Sequence, residues 1–414
     1  MLSDLSDLSG REAVLRLFDT AQQRIIPFEP PETVRIYVCG ITPYDSAHMG
    51  HATNFLAYDL LLRHLERKGH RVRMVRNVTD VDDSILPKAQ ELGVDYLDLA
   101  NAELRQFAAD MAAVGIRPPT AQPRATESMD EIIQLVERLV EGGSAYRAEE
   151  SVYFDVSSFP RYGELCRYST RLMLKLSTAR GGDGPRKDKR DELDFILWKP
   201  SLASEPAWDS PFGKGRPGWH VECSAMAMSA HGPTVDLHGG GSDLVFPHHE
   251  CEKAQSEAAT GEPFVKHWMH CGVVTMAGEK MSKSLGNIVF IRDLLGKYEG
   301  AAIRLALMRH HYRAGYEWQP DELSRAQAYL NRLRAAATGV AGADPRPYRA
   351  RVEAALDDDL DVPTALAEID ALAASILAGG PDRRAPSALA DILSLLGLDL
   401  RIDVDNQPAL NPAP

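Results

Sequence analysis

The chain has 414 residues, of which 25% are charged and 44% hydrophobic, and a formal net charge of −13. That length exceeds one hydrophobic core and predicts two or three domains of ordinary globular composition. The acidity argues against a broad grip on a nucleic-acid backbone, and the lack of any run of 18 apolar residues argues against a membrane-spanning helix.

In chain order, Met1 to Gly10 is polar and acidic, without the form of a secretion signal. Five scattered cysteines do not suit a disulfide framework and predict a cytoplasmic chain with reduced thiols. Residues 1 to 33 read as a lead-in with one short helix, Arg11 to Gln22. Val34 to Val38 is a short apolar run that predicts a buried strand, and Gly40 and Pro43 mark a turn. Phe55, Leu56, Tyr58, Leu60, Leu61, Leu62 and Leu65 then predict a helix after His51, and Arg71 to Val78 a second strand. Strand, helix and strand in so short a span make a βαβ unit and hence a parallel sheet. In such a sheet ligands bind at the carboxyl ends of the strands, and a helix start there suits phosphate. His48 and His51 stand three apart at that helix start, where both rings can reach one anion. The run Asn77 to Asp83 closes the second strand; its acids either cap the next helix or face the pocket.

From about 87 to 145 the pattern is helical, with Ser128 and Glu131 as a capping box and Gly142-Gly143 as a stop. Val152 to Phe154 reads as a strand, and 155 to 190 as loop-rich. Arg180 to Pro185 and the charges after it are either a solvated loop or a substrate-facing lid. Phe195 to Trp198 resumes the sheet, and a helix is expected after Cys223. Val235 to His238 is a strand closed by Gly239-Gly240-Gly241-Ser242-Asp243, whose glycines allow close approach of a ligand. A helix begins near Phe246, Val273-Val274 is a strand, and Lys280 to Ser284 stands on a loop. Beyond 290 the chain reads as helices, with a linker at Asp344 to Pro347, a hairpin around Pro363 and a disordered tail from Asn406. The expected divisions are 1–115 and 201–275 for two halves of one α/β domain, 116–200 for an insertion, 276–335 for the loop region, and 336–414 for a helical end.

Cys39, Cys223, His248 and Glu252 stand out as a candidate metal set. His248 and Glu252 are four apart, so a helix points them the same way. Thiolate, imidazole and carboxylate all suit Zn²⁺. Taken alone, Cys39 reads as a packed thiol, and His48 and His51 as surface histidines. Cys251 and Cys271 read as structural thiols.

His48-Met49-Gly50-His51 followed by Lys280-Met281-Ser282-Lys283-Ser284 resembles the paired signatures of the class I aminoacyl-tRNA synthetases. Tyr37 to Gly40, Asn77 to Asp83, Gly215 to Cys223 and Gly239 to Glu250 resemble the cysteine-activating branch, over roughly residues 15 to 400. That branch holds cysteinyl-tRNA synthetases and a mycothiol-pathway ligase family that joins cysteine to the amine of glucosaminyl-inositol. Gly40 to Asp45 with its Pro43, His51-Ala52-Thr53, the Arg180 to Asp183 loop, Asp191 to Asp194, His311 to Ala314 and Leu395 to Leu400 resemble the ligase family. The chain stops where a synthetase would continue into an anticodon-reading end. Glu252 departs from the ligase pattern, because a glutamate four residues after the histidine resembles the synthetase; a cysteinyl-tRNA synthetase is the alternative.

The resemblance implies an α/β fold, a class I synthetase-type Rossmann (HUP-like) parallel sheet with an insertion and a C-terminal helical domain. It implies L-cysteine, ATP with Mg²⁺ and an aminosugar-inositol acceptor as partners, one Zn²⁺ per chain, no tRNA, and a monomer or weak dimer. His48, His51, Lys280 and Lys283 would act on the phosphates. Cys39, Gly40, Ile41, Thr42, Asn54, Asn77, Val78, Thr79 and Trp219 would line the cysteine and adenylate site. Gly241, Ser242, Asp243 and Val274 would hold adenosine, with Cys39, Cys223, His248 and Glu252 around the metal. Asp45 and Asp80 are candidate bases for the acceptor amine.

Overall fold

The computed structural model describes residues 14–400 except 45, 181–187, 277 and 282–285. The lead-in is a β-hairpin, β1 (Arg16–Asp19) against β2 (Arg24–Pro27), rather than the expected helix over 11–22, of which 11–13 lie outside the described residues. The reason is a period of two: Leu15, Leu17 and Asp19 alternate into the interior, and Gln23 turns the chain at a φ of 54°.

The βαβ unit forms as read, with β3 (Thr33–Ile41), α1 (Met49–Arg67) and β4 (Arg71–Val78). β3 pairs with β4 in parallel from Thr33 opposite Arg71 to Val38 opposite Arg76. Val34, Ile36, Tyr37 and Val38 are all fully buried, the mark of a strand covered on both faces. The long helical stretch after it splits into α2 (Ile85–Leu92), α3 (Tyr96–Ala113) and α4 (Met129–Glu141). Gly93 in the left-handed conformation stops the first, and residues 121 and 124 bridge to β4 as a short extra edge. The Ser128–Glu131 capping box is not made: Ser128 Oγ instead donates to the carbonyl of Arg124, which leaves it no role at the helix start.

Residues 145 to 217 form an antiparallel sheet of β5 (Ala145–Ala148), β6 (Ser151–Phe154), β7 (Phe195–Pro200) and β8 (Gly215–Pro217), which runs past the expected end of the insertion at 200. Within the stretch expected to be loop lies α5 (Thr170–Ala179), whose Ser169 cap accepts from Leu172 N and whose Met173 is buried. The chain then re-enters the main sheet. α6 (Trp219–His231) starts four residues before Cys223 rather than after it, and β9 (Leu237–Gly241), α7 (Glu250–Thr260) and β10 (Trp268–Cys271) follow. The main sheet has the order β10-β9-β3-β4, every pair parallel. β9 runs through the glycines instead of ending before them. A Cβ on Gly239 would stand 2.0 Å from the Met269 carbonyl oxygen and 2.2 Å from the Tyr58 hydroxyl, so only glycine lets these strands and α1 close up.

A small sheet of β11 (Val274–Met276), β12 (Glu279–Lys280) and β13 (Tyr316–Glu317) leads into α8 (Ile291–Leu295), α9 (Gly300–Met308), α10 (Glu322–Ala337), α11 (Pro345–Asp357), α12 (Val362–Ala378) and α13 (Ala385–Leu395). The expected linker at 344–347 is the first turn of α11: Asp344 caps it and Pro345 takes a place where the missing N–H costs nothing. The expected tail from 406 lies outside the described residues. Residues of α9 to α13 share one hydrophobic cluster with α1 and β3, while the insertion, α4, α6 and α7 pack on the other side of the sheet in a second. No helix among the described residues is long and apolar enough to cross a membrane. The first half of the sheet winds from β3 to β4, and the second returns to β9 on the opposite side of β3. The reversal opens a crevice beyond the carboxyl ends of β3 and β9.

Candidate active site and metal centre

Cys39 stands near the end of β3, at that crevice, with a sulfur 3.9 Å from Cys223 Sγ on α6 and 3.3 Å from Glu252 Oε1 on α7. His248 Nε2 lies 2.9 Å from the same Glu252 oxygen. Cys39, Cys223, His248 and Glu252 are all buried, and their ligand atoms fall within 4.8 Å of one another. Thiolate and imidazole bonds of about 2.3 and 2.0 Å around a tetrahedral zinc put neighbouring ligand atoms roughly 3.3 to 3.8 Å apart, so the cluster fits one ion. A second set, Cys39, His238, His249 and Glu252, also lies within 4.8 Å. It is the poorer cradle: it has one sulfur, His238 Nε2 is bonded to Glu252 Oε2 at 2.9 Å, and His249 Nδ1 to His270 Nε2 at 2.7 Å. Those two histidines orient the carboxylate and crowd Cys39, His249 Nε2 being 3.3 Å from its sulfur.

The charges arrange themselves as a cation-binding centre. Burial pushes the Cys39 thiol well up, with Cys223 and Glu252 adding to the rise. Burial also opposes ionisation of Cys223, yet the bond from Cys39 and the charge of His248 bring it down to about 6. Burial would lower His248, but Glu252 and Cys223 raise it to about 10. Glu252 is held well below the usual carboxylate range by His238 and His248, against its burial. A divalent ion bound among these groups would take the place of protons on the thiols and the imidazole. His220 Nδ1 sits 2.8 Å from His248 Nδ1, and burial with the His248 charge holds His220 down at about 3, so its neutral ring fixes the orientation of His248. Trp219 stacks on the His248 ring at 4.1 Å and is half-buried at the rim.

The two histidines of the other motif start α1. His48 is its N-cap, its Nδ1 accepting from His51 N at 3.4 Å, and the rings stack at 3.8 Å. A Cβ on Gly50 would come within 3.0 Å of the His48 ring, so the glycine makes room for it. Val274, where β11 starts, is buried; Thr275 pairs with Lys280 on β12. Past the loop, Phe290 bridges to His48 and Val289 accepts from Met49 N. The loop with the lysines therefore leaves from β12 and returns to the histidines. Lys283 lies outside the described residues, and only the backbone of Lys280 is described.

Gly40 N donates to Asn77 Oδ1 at 2.8 Å, and a Cβ there would stand 1.8 Å from the Asn77 carbonyl oxygen. Ile41, Val78 and Thr79 are buried around that contact, and Thr42 Oγ1 donates to Asp82. Asn54 Oδ1 is buried without a partner. Gly241, Ser242 and Asp243 turn from β9 into a short 3₁₀ segment, and Arg180 donates to the Asp243 and Phe246 carbonyls at 2.5 and 2.6 Å. The rest of the suggested lid, 181 to 187, lies outside the described residues. Of the acids after β4, Asp80 is paired with Arg124 at 2.8 Å, Asp82 caps Ser84 and Ile85, and Asp83 is paired with Lys199 and Arg216. Only Asp82 caps the next helix as expected; Asp80 and Asp83 are bound to basic side chains, and Asp82 and Asp83 also line a cavity with Trp219. Asp80, one of the two candidate bases, is bonded to Arg124 and Thr126, and Asp45, the other, lies outside the described residues. Sequence reasoning missed His220, His238 and His249, none of which belongs to a spacing pattern that would reveal it.

Residues 26–328 match the family model of the class I (C) tRNA synthetase catalytic domain. A Thermobispora bispora protein described as L-cysteine:1D-myo-inositol 2-amino-2-deoxy-alpha-D-glucopyranoside ligase is 47% identical, over 95% of this chain and 97% of its own. The chain belongs to this ligase family. Another ligase of the family, from Mycobacterium sp. (strain KMS), is 44% identical over 96% of this chain and 97% of its own. Among solved structures, Mycobacterium tuberculosis methionyl-tRNA synthetase in complex with methionyl-adenylate aligns at a TM-score of 0.62 and 16% identity, covering 88% of this chain and 89% of that one. That likeness shows a class I synthetase fold. The ligase is accordingly an ATP-dependent enzyme on a synthetase-type α/β domain.

Proposed function

We propose that this ligase activates L-cysteine with ATP as cysteinyl-adenylate and transfers it to the amine of 1D-myo-inosityl 2-amino-2-deoxy-alpha-D-glucopyranoside. AMP and pyrophosphate leave. The observation that carries the reading is the buried Cys39, Cys223, His248 and Glu252 set, in the same crevice as the His48–His51 helix start. A pocket of shape alone separates cysteine from serine only about 10–200-fold. A zinc ion, if held by these four residues, would supply a soft partner for sulfur that a hydroxyl matches poorly.

The chain's own residues do the rest. The cysteine carboxylate attacks the α-phosphate of MgATP, and negative charge builds on the phosphates. His48 and His51, preset by their mutual cap, would stabilise it at the α- and β-phosphates, with Lys280 and Lys283 on the departing pyrophosphate. Gly241, Ser242 and Asp243, with Val274 beneath, would take the adenosine. Gly40, Ile41, Thr42, Asn54, Asn77, Val78 and Thr79 would line the adenylate, and Trp219 would close the cysteine pocket. Of the basic residues from 292 to 334, Arg304 is paired with Asp59, Arg332 with Asp370 and Arg334 with Glu299, which reduces the positive charge there that a tRNA backbone would need. The enzyme would act in the cytoplasm as a monomer or weak dimer.

Cysteine-dependent exchange of labelled pyrophosphate into ATP tests the first half. Offering the aminosugar-inositol and purified tRNA separately tests the second. The expected outcome is amide formation with the aminosugar alone; cysteine found only on tRNA would overturn the assignment.

A further inference from the structure

Arg76 on β4 is 5% exposed, and its Nε is buried without a hydrogen-bond partner. No carboxylate among the described residues is paired with its side chain. Asp59 acts on it through space, but that carboxylate is already bonded to Arg63, Arg304 and the Arg117 backbone N–H. Burial brings the guanidinium down to about 10, against the pull of Asp59, so it is still a cation at neutral pH. A buried charge with no ion pair is a cost to the fold.

What Arg76 does touch is an aromatic column. Its guanidinium carbon lies 4.6 Å over the Phe55 ring on α1. The Phe55 ring is 6.4 Å from that of His51 and tilted by only 19°, and His51 in turn stacks on His48 at 3.8 Å. Phe107 of α3 meets both Phe55 and His51 edge-on at 5.7 Å, which fixes the column from the side. The column therefore runs from the unpaired cation to the helix start. It lies on the α1 face of the sheet with Met74, whereas Cys39 belongs to the cluster on the opposite face. A cation near the amino end of α1 also meets the positive end of the helix dipole, a second cost. Both costs are offset if an anion comes to that helix start.

We propose that Arg76 is a positioning residue of the phosphate site, its fixed charge and the Phe55 ring presetting His51 and His48 for the triphosphate of ATP. The inference rests on the function proposed above and adds a charge that the two histidines do not supply. As cysteine carboxylate attacks the α-phosphate, the growing negative charge meets a cation already held in a low dielectric, which needs no rearrangement at that moment. The fold gives up stability and the reaction gains rate.

Pyrophosphate exchange on metal-loaded enzyme compares wild type with Arg76→Met, which keeps the length and removes the charge, and with Arg76→Lys, which keeps the charge. In Arg76→Met, kcat/KM for ATP should fall at least about tenfold, while the KM for cysteine and the metal content stay within about twofold. Arg76→Lys should keep at least about a third of the wild-type kcat/KM for ATP. In urea, Arg76→Met should unfold at the wild-type midpoint or above it, since the neutral side chain is the easier one to bury. An arginine kept only for packing would give the reverse. Exchange by Arg76→Met within twofold of wild type overturns the proposal. So does an equal loss in Arg76→Lys, or an Arg76→Met chain that unfolds earlier or does not fold. Wild-type enzyme that shows no cysteine-dependent exchange would instead sink the proposed function, and this inference with it.

Discussion

At the scale of single residues, the main effect of burial is to decide which groups carry charge. Against their burial, Cys223 is drawn down by the bond from Cys39 and the charge of His248, and Glu252 by His238 and His248. The opposite case is His231 at the end of α6. It is buried, and its Nε2 lies 3.1 Å from the Ile36 carbonyl oxygen. Burial, helped by the Arg73 and Arg35 guanidiniums, holds its imidazole down at about 4, against 6.5 in an unfolded chain. Between those values the unfolded state binds a proton that the folded state refuses, so stability falls as pH drops through that window. Urea unfolding of His231→Phe at pH 4.5 to 6.5 should show a pH slope shallower by up to one proton, about 1.4 kcal/mol per pH unit. A slope equal to wild type would mean His231 takes its proton in the fold.

Among elements, α9 is the tie between halves of the molecule. Its Arg304 is almost wholly buried and donates to Asp59 of α1, to the Val114 and Gly115 carbonyls after α3, and to the Leu396 carbonyl after α13. Asp59 stays ionised, its burial being outweighed by Arg304 and Arg63. Removing one partner of such a pair strands the other in a low dielectric. Arg304→Met should therefore cost about 3–5 kcal/mol in chemical denaturation. A loss under about 1 kcal/mol would show that Arg63 and Arg117 suffice for Asp59. This tie was invisible in the sequence, where Arg304 reads as one more basic residue on a helix. The β3–α1–β4 unit was legible because its signals are local and periodic. The hairpin at 16–27 was not, because two four-residue strands leave too short a pattern to outweigh a helical one. The Ser128 box failed for a related reason: the spacing was present, but the hydroxyl found the Arg124 carbonyl first.

For the molecule as a whole, the metal residues were named from their donor chemistry and the four-residue step from His248 to Glu252, although Cys39, Cys223 and Glu252 are too far apart in the chain for spacing to join them. What the sequence could not supply was the support around them. His220, His238 and His249 gain meaning only when β9, α6 and α7 meet under β3. An ion bound by β3, α6 and α7 crosslinks three segments of one fold, and a ligand that binds only the folded state stabilises it by mass action. Stripping metal with a chelator should lower the unfolding midpoint, by an amount near 2.7 kcal/mol where free ion had stood at a hundred times its dissociation constant. Cys39→Ala should bind less than a tenth of the wild-type metal and lose that chelator response. A variant that keeps both would remove Cys39 from the ligand set.

The same long separation has a temporal side. Cys39 and Glu252 are 213 positions apart, so at roughly 5–20 residues per second the first sulfur leaves the ribosome on the order of ten to forty seconds before its carboxylate partner. Through that interval Cys39 has neither the burial nor the neighbours that later quiet it. An ion held by this set would be taken up only after Glu252 has emerged, and until then the Cys39 thiol stands open to oxidants.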